Sequence, residues 1–556
     1  MAYREPIATL ATHEVTNQPP PLGDYNLYAS DPALREALHR EGAGWAEAAL
    51  SDLAATAGSE RVRELGHTAN RYAPELVTHD RFGRRIDEVA FHPAWHELMA
   101  LGIGHRVPSI AWTEARGGSH VAHAAMQYIL TQAEAGICCP MAMAYAAIPT
   151  LRRHPALAAE WEPRLLSTAY DPRSIPAAEK SGVTIGMAMT EKQGGSDVRA
   201  NTTLAEPAGG GPDQFVLTGH KWFCSAPMSD AFFTLAQTAH GLSCFLVPRW
   251  RPDGSRNAFR IQRLKDKLGN RSNASAEIEY FETWGILVGE EGRGVAAIID
   301  MVQLTRLDAT MAPAGMMRQA VVMAVHHATH RSAFQKRLSQ QPLMRQVLAD
   351  LVLESEAATA LAMRVAGAVD DAARGEAARL FARTAVAAAK YWVNKRLPNL
   401  VYEAMECHGG AGYVEESYLP RLYREAPLNS IWEGSGNVIC LDVLRALQRE
   451  AGAADAFLGE VEQARGADRR LDQALDRLRD AMAPGRIAEE TARRLVETMA
   501  VTLQGSLLVR HAPAEIADAF CASRLAGEWG RTYGTLAAGT ASDAIIGRAA
   551  VGGSVS

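Results

Sequence analysis

The stretch Ala276-Glu277-Ile278-Glu279-Tyr280-Phe281 alternates apolar and polar side chains, which is the two-residue period of a β-strand with one buried face. Around it, residues 183–288 hold further short runs rich in β-branched and aromatic residues, such as Phe215-Val-Leu-Thr218 after a Gly-rich turn. Residues 30–180 and those after Gly294 instead have helical patterning. We therefore predict an α+β protein in which a compact β domain separates helical regions, because strands and helices do not alternate as in a Rossmann fold.

The helical regions show start signals and long apolar periods. Ser30-Asp31-Pro32 predicts a capped helix start, Ser119 to about Gly136 predicts another helix, and Pro140 is the predicted start of the next. Long Ala-rich helices suited to a bundle are predicted at Val295–His330, Met344–Ala373 and Ala377–Leu397. The predicted domains are 1–180 (helical), 181–290 (β), 291–444 (helical bundle) and 445–556 (an extra helical domain that looks separate).

Composition excludes several classes of protein. The 556 residues carry 57 basic and 63 acidic side chains, a net charge of -6, so the strongly basic field of a dedicated nucleic-acid binder is absent. The N-terminus lacks a signal-peptide plan, and the uncharged stretch Ala135–Leu151 is too short to span a membrane. The seven cysteines include no CxxC pair and favour reduced thiols. These features predict a soluble, cytoplasmic protein without a membrane partner.

Histidines offer one possible metal motif. His326 and His330 lie four residues apart on a predicted helix, a spacing that can bind a metal ion. No glutamate completes an HExxH pattern and no third ligand is evident. A surface or capping role is therefore the better interpretation, and we predict no metal.

The segment Met187-Ala-Met-Thr-Glu-Lys-Gln-Gly-Gly-Ser-Asp197 is the first candidate for a binding site. Gly194 and Gly195 allow the backbone to approach a ligand closely. The hydroxyls of Thr190 and Ser196 can donate to carbonyl or phosphate oxygens. The alternative is a polar loop between two elements.

Two further segments carry candidate side chains. Ser430-Ile-Trp-Glu-Gly-Ser-Gly-Asn437 holds one carboxylate, Glu433, beside an aromatic ring; burial there would raise its pKa, as a general base needs. The alternative is a helix-capping turn with a solvated glutamate. His220-Lys-Trp-Phe-Cys-Ser225 lies on a predicted strand, and its alternative is an ordinary half-buried strand.

Five segments, in this order, resemble the acyl-CoA dehydrogenase flavoprotein family over about residues 30–444. They are Thr190-Glu-Lys-Gln-Gly-Gly-Ser-Asp197, Gly219-His-Lys-Trp-Phe-Cys-Ser225, Arg331-Ser-Ala-Phe334, Glu406-Cys-His-Gly-Gly-Ala-Gly-Tyr413, and Arg424 followed by Ile431-Trp-Glu-Gly-Ser435. The resemblance implies an N-terminal helical domain, a middle β-barrel and a C-terminal four-helix bundle, with FAD between barrel and bundle. The extra C-terminal helical domain comes in addition.

The resemblance also implies the cofactor-binding residues. Within one subunit they are Met187, Met189, Thr190, Gly195, Ser196, Phe223, Ser225, Ile431, Trp432, Gly434, Ser435 and Asn437. Arg331, Phe334, Gly409 and Gly410 are expected to reach the FAD of a neighbouring subunit. The implied assembly is a homo-oligomer, at least a dimer and usually a tetramer built as a dimer of dimers.

Glu433 takes the place of the family's catalytic base. In the family chemistry this carboxylate accepts the α-proton of a thioester while the β-hydride passes to flavin N5. Some members carry the base on an earlier helix, before an arginine, where this chain has Thr305.

Trp432 stands where the family has Tyr and narrows the space over the flavin. Phe223 replaces a Trp and Gln335 a Gly. The expected substrate is a short branched thioester or another small molecule; the electron acceptor is not indicated.

Within the family, the chain most resembles one branch, the proteins of the response to DNA alkylation. The family motifs that carry this closer resemblance are TEKQGGSDV, GHKWF, RLKDKLGNRSNAS, PRLYRE and NSIWEGSGN. That resemblance implies binding of double-stranded DNA and protection from alkylating agents. The alternative is a metabolic acyl-CoA dehydrogenase without a DNA role.

Charge counting gives the DNA prediction little support. Residues 445–556 hold 14 arginines, no lysine and 15 acidic residues, so this segment has a net charge of about −1 and no excess of basic charge. Arg486, Arg493 and Arg494 recur at helical spacing and are the candidate DNA-binding face. The alternatives are a salt-bridged, solvated helix or an oligomer interface.

Overall fold

The computed structural model describes residues 6–114, 116–483 and 485–551. The first region is helical and also contains a β-hairpin that the sequence pattern did not predict. Its helices are α1 Pro32–Arg40, α2 Glu47–Ala57, α3 Glu60–Arg71, α4 Pro93–Gly104, α5 Ile110–Thr113, α6 Ser119–Ala133, α7 Cys138–Leu151 and α8 Pro155–Leu165; its strands are β1 Glu75–His79 and β2 Arg85–Ala90. Asp31 caps α1 as predicted, accepting from the backbone N–H of Leu34 at 3.1 Å. The predicted start of α7 at Pro140 is wrong by two residues, because proline is tolerated within a first helical turn.

The β region forms a closed sheet. Its strands are β3 Ile185–Ala188, β4 Leu204–Pro207, β5 Gln214–Ser225, β6 Ala231–Thr238, β7 Gly241–Pro248, β8 Phe259–Leu264 and β9 Ser275–Val288. They pair in the order β3-β6-β4-β5-β9-β7, β8 pairs with β9, and the β6–β7 pairing closes the barrel. The alternating stretch 276–281 lies within β9, where Ile278 pairs with both Lys221 and Ile261.

The first six residues of strand β6 are buried on both faces, because the barrel packs against helices. Phe232 belongs to the barrel interior, with Phe215, Phe245 and Phe259. Its neighbour Phe233 points outward into a second core formed with α7 and the start of the helix at Gly294. A strand covered on both faces is expected to be a nearly continuous apolar run, and in the first six residues of β6 only Thr234 interrupts it.

The second helical region packs α9, α10 and α11 against one another and against α6. Its elements are α9 Gly294–His330, β10 Ser332–Ala333, β11 Lys336–Arg337, α10 Pro342–Asp371, α11 Glu376–His408, α12 Gly410–Tyr413, α13 Tyr418–Glu425 and α14 Gly436–Arg449. The predicted end of α11 at Leu397 is wrong, because the helix continues through Pro398 to His408. Leu397, Leu400 and Val401 are fully buried around the proline, so tertiary packing outweighs its local cost.

The last segment is helical and shares its apolar core with the bundle. Its helices are α15 Ala453–Glu462, α16 Arg469–Ala481, α17 Ala492–His511, α18 Ala514–Phe520 and α19 Ser542–Gly547. Helix α17 packs against α10 and α11, and the predicted stripe Leu471, Leu475 and Leu478 is buried. Among the described residues no helix is long and apolar enough to cross a bilayer.

Candidate active site

The turn that carries Glu433 is held by two buried cations. Lys390 of α11 donates from Nζ to the carbonyls of Trp432 (2.7 Å) and Gly434 (2.5 Å). Arg306 of α9 donates from Nε to the carbonyl of Glu433 itself, at 3.1 Å. Three successive carbonyls are therefore bound, and they stabilise a backbone in which Glu433 has a φ of 57°, a conformation that is costly for a non-glycine residue.

The Glu433 carboxyl is half-buried and accepts a hydrogen bond from the Thr305 hydroxyl at 2.6 Å. Burial raises its pKa; the Thr305 hydrogen bond and the charges of Lys390 and Arg306 oppose this rise without cancelling it. Burial also lowers the pKa of Lys390 to about 7, against the attraction of Glu433. A positioned carboxyl with a raised pKa suits a general base.

Helix α14 orients Arg306, one of the two cations that hold the Glu433 turn. Asp442 accepts from Arg306 at 2.7 Å and from Arg383 of α11 at 2.7 Å. The Arg306 guanidinium is thus oriented by a carboxylate while its Nε–H binds the turn. The residue position that bears the base in other family members, Thr305, here supplies a hydroxyl to Glu433.

The loop at Thr190–Asp197 is anchored by a buried ion pair. Lys221 of β5 donates to Glu191 at 2.7 Å, and both side chains are fully buried. Glu191 also accepts from the Thr203 hydroxyl (2.6 Å) and the Thr202 N–H (2.7 Å). Burial alone would raise the pKa of Glu191, but the Lys221 charge and these hydrogen bonds hold it at about 2. Burial lowers the pKa of Lys221 to about 8, so the amine is still charged at pH 7.

Cys139, in the first turn of α7, joins the barrel side to the Glu433 side. Burial raises the pKa of its thiol to about 12; the Lys267 charge and a hydrogen bond from Ser225 oppose the rise, and the Glu433 carboxylate adds to it. The Ser225 hydroxyl and the Glu433 carboxylate therefore both influence the pKa of this thiol. The Thr190–Asp197 loop is also held to β5, because the Thr190 carbonyl accepts from the Trp222 N–H at 2.8 Å.

The predicted cofactor residues fall into two groups. The first, here called the base half-site, consists of residues of β3, the loop after it, β5 and the Glu433 turn, together with the predicted base Glu433 itself. Its cofactor residues are Met187, Met189, Thr190, Gly195, Ser196, Phe223, Ser225, Ile431, Trp432, Gly434, Ser435 and Asn437. The second, the hairpin half-site, lies where α9 and α11 end: Arg331, Phe334, Gly409 and Gly410. The rings of His327 and His408 meet there with centroids 4.4 Å apart.

One subunit does not bring the two half-sites together. Thr305, beside Glu433, and Arg331 are separated by 26 residues of α9, about 39 Å at 1.5 Å per residue. The donors of each half-site are nonetheless of the kind FAD requires. The base half-site offers the hydroxyls of Thr190, Ser196 and Ser225 and the half-exposed ring of Phe223. The hairpin half-site offers the Arg331 cation, the 93% exposed Phe334 and two glycines at which a Cβ would meet nothing within 4 Å.

The predicted DNA-binding arginines do not share a helical face. Arg486 lies in a turn that contains Gly485, with a φ of 81°, and α17 begins only at Ala492. Arg486 pairs with Asp480, whereas Arg493 and Arg494 are exposed at the start of α17. Arg493 donates to the Asn437 side chain at 2.8 Å, so the last segment reaches the base half-site.

Sequence reasoning missed Lys390, Arg306 and Lys221 as residues that hold the site. One feature of the sequence could have indicated Lys390: it is the single charged residue in the run Ala385-Val-Ala-Ala-Ala-Lys-Tyr-Trp-Val393. A lysine in an otherwise buried stretch must find acceptors. Among the described residues the seven cysteines are free, and no three potential ligands converge on a metal site.

Fold and site together define an oxidoreductase of the acyl-CoA dehydrogenase type that depends on FAD. Three family models match the chain. They describe the adaptive response protein AidB N-terminal domain (residues 17–172), the acyl-CoA dehydrogenase middle domain (186–282) and the acyl-CoA dehydrogenase C-terminal domain (292–448). The chain belongs to the acyl-CoA dehydrogenase family, and the predictions of family, fold, enzyme class and FAD are confirmed.

Relatives of similar length strengthen this assignment. The chain is 49% identical to a putative acyl-CoA dehydrogenase AidB of Escherichia coli K12, over 92% of this chain and 94% of that protein. It is 30% identical to acyl-CoA dehydrogenase family member 11 of Caenorhabditis elegans, over 88% and 84%. The crystal structure of C. elegans ACDH-11 with C11-CoA superposes with a TM-score of 0.84 and 28% identity, covering 94% and 95%. An FAD complex from Bacillus anthracis, with a TM-score of 0.61, 17% identity and coverage of 77% and 80%, shares the fold.

Proposed function

We propose that this enzyme dehydrogenates a CoA thioester and that Glu433 is the base that takes the α-proton. The observation that carries the proposal is the turn at Glu433, in which Lys390 and Arg306 bind three successive carbonyls and Thr305 donates to a half-buried carboxyl of raised pKa. Bound FAD would supply the acceptor for the two electrons that leave the substrate β-carbon. The chain's own residues orient the base, because Lys390, Arg306 and Thr305 fix its backbone and carboxyl.

The acyl pocket is proposed to be narrow. Trp432 is next to the base, and its Nε1–H donates to Asn429 at 2.6 Å, which restrains the indole. A restrained indole where the family has a smaller ring favours short acyl chains or another small substrate over long ones. The C. elegans structure with C11-CoA concerns a relative with 28% identity, so chain length is best measured directly with a series of thioesters.

We further propose that each FAD is shared by two subunits, in a homodimer or a dimer of dimers. The distance of about 39 Å between Thr305 and Arg331 along α9 supports this arrangement. The base half-site of one subunit would then be completed by the hairpin half-site of another. Both groups of residues keep the roles that the family resemblance implies.

Mixing two inactive variants tests this sharing. Glu433→Gln damages only the base half-site, and Phe334→Ala damages only the hairpin half-site. Each variant alone is expected to reduce FAD poorly with a thioester, whereas subunits mixed after dissociation and reassembly should recover activity, because one site in each mixed pair is intact. A mixture no more active than the two separate variants would contradict the shared site.

A second proposed function is double-stranded DNA binding in the response to alkylation. It is supported by the AidB description of the matching N-terminal model and by two adjacent exposed arginines, Arg493 and Arg494. Most other arginines of residues 445–556 are engaged in ion pairs: Arg445, Arg465, Arg470, Arg479, Arg486, Arg510, Arg524 and Arg548. The DNA surface would therefore rest on few charges, repeated by oligomerisation.

For the DNA proposal, we expect the double variant Arg493→Ala/Arg494→Ala to bind duplex DNA more weakly, whatever the DNA sequence. The slope of log affinity against log salt should fall by roughly one for each lost phosphate contact. Arg486→Ala is the matched control, since this side chain is paired with Asp480. Binding is measured by fluorescence anisotropy on FAD-loaded protein across a salt series. A duplex affinity that does not change with salt, or no binding at low salt, would refute the proposal.

A further inference from the structure

An N-terminal arm lies along the end of α9. We define this arm as residues 6–22. The Asn17 amide makes two hydrogen bonds with the backbone of Ser332: Nδ2 donates to its carbonyl, and Oδ1 accepts from its N–H, both at 2.8 Å. The Arg331 guanidinium donates to the Asn17 carbonyl. One turn earlier, His326 Nε2 donates to the Pro20 carbonyl at 2.9 Å.

These contacts hold the first strand of a strained β-hairpin. Ser332 pairs with Arg337 and Ala333 with Lys336, which leaves Phe334 and Gln335 as a two-residue turn. Both turn residues have positive φ, 51° and 63°, as a type I′ turn requires. Such turns prefer Asn and Gly, and side chains like Phe and Gln strain them. The strained turn presents Phe334 with 93% of its surface exposed.

We propose that Asn17 is a positioning residue that locks this hairpin so that Arg331 and Phe334 fit the FAD site of a second copy of the chain. The inference rests on the proposed sharing of FAD between subunits. The arm of one subunit would thereby affect the FAD that is bound at the base half-site of the other subunit.

Asparagine suits this position for two reasons. Its amide has both a donor and an acceptor, so it pairs with the N–H and the carbonyl of Ser332 as a neighbouring strand would. Its own φ is 57°, and asparagine tolerates this region better than most residues. Glycine also accepts the backbone conformation but removes both side-chain hydrogen bonds, and aspartate keeps only the acceptor.

The experiment measures FAD binding to apoprotein by fluorescence titration, with flavin release on heating as a second readout. Asn17→Gly should weaken FAD binding by at least about fivefold, the effect of losing two hydrogen bonds. Gln335→Gly in the same chain should restore much of the affinity, because it relieves the strained turn. Thr12→Ala is the matched control in the arm, since its hydroxyl hydrogen-bonds only to the His13 ring among the described residues, and its FAD affinity should equal that of the unchanged protein.

Subunit mixing separates this role from a general loss of stability. At limiting FAD, Asn17→Gly subunits should regain activity when mixed with Glu433→Gln subunits, because one site in each mixed pair is intact. They should not regain activity with Phe334→Ala subunits, because Asn17→Gly and Phe334→Ala both damage the hairpin half-site. Unchanged FAD affinity of Asn17→Gly, or recovery with Phe334→Ala, would overturn the inference. If Glu433→Gln and Phe334→Ala fail to complement each other, the shared site itself is wrong, and that result is distinguishable from failure of the Asn17 role alone.

Discussion

Glu433→Gln is expected to slow thioester-dependent reduction of the bound flavin by about 10²–10⁴-fold, the usual contribution of a general base. The amide cannot accept a proton from the substrate, yet it has nearly the volume of the carboxyl and can still accept the Thr305 hydrogen bond. FAD binding should therefore persist. Stopped-flow bleaching of the visible flavin absorbance measures the rate, and the absorbance before mixing reports the FAD content. Equal rates in the two proteins would remove Glu433 as the base.

The same carboxyl determines the expected pH dependence. Burial raises the pKa of Glu433, and only the ionised form accepts the α-proton, so the reduction rate should rise as pH increases through this raised pKa. Thr305→Val removes a hydrogen bond that favours the ionised form. In that variant the rising limb should move to higher pH. A pH profile that does not move would contradict the contact between Thr305 and the base.

The largest expected loss of stability follows from Lys221→Met. The substitution leaves the Glu191 carboxylate buried without its cation, and also frees the Leu235 carbonyl that Lys221 binds at 2.7 Å. Breaking a buried pair in this way costs about 3–5 kcal/mol. Because Glu191 anchors the Thr190–Asp197 loop, FAD affinity should fall together with the melting temperature. Thermal unfolding of apo and FAD-loaded protein measures both effects.

A double variant provides the control for the ion pair. Glu191→Gln/Lys221→Met removes both charges and should lose less stability than Lys221→Met alone, since no unpaired charge stays buried. Acid has a related effect on the unchanged protein. The folded pKa of Glu191, about 2, lies below its ordinary value, so its stabilising contribution is present at neutral pH and is lost as pH falls toward about 2. A double variant as unstable as Lys221→Met would show that packing, and not charge, dominates.

Several predictions from the sequence stay predictions. The domain boundaries at 180, 290 and 444, the roles of the individual site residues, the oligomer, the cytoplasmic location and the DNA partner are not tested by family membership. Others were wrong for clear physical reasons. Helix α11 passes Pro398 because buried leucines on both sides hold it, and Arg486 leaves the face of Arg493 because a glycine turn separates them.

Local sequence alone determined the order of helical and β regions, some of the barrel strands and the motif that contains Glu433. These features depend on residues near one another in the chain: a two-residue period, a helix cap, or a glycine-rich segment with hydroxyls. They are therefore readable without knowing what packs against them.

Only the tertiary structure decided how the base is held and how the cofactor residues divide into two groups. Lys390, Arg306 and Glu433 come from three distant parts of the chain, and Asn17 meets Ser332 across 315 residues. No local pattern encodes such contacts, because they depend on how helices pack. The same packing places the two half-sites far apart along α9, and the proposal that a second subunit supplies the missing half follows from that separation.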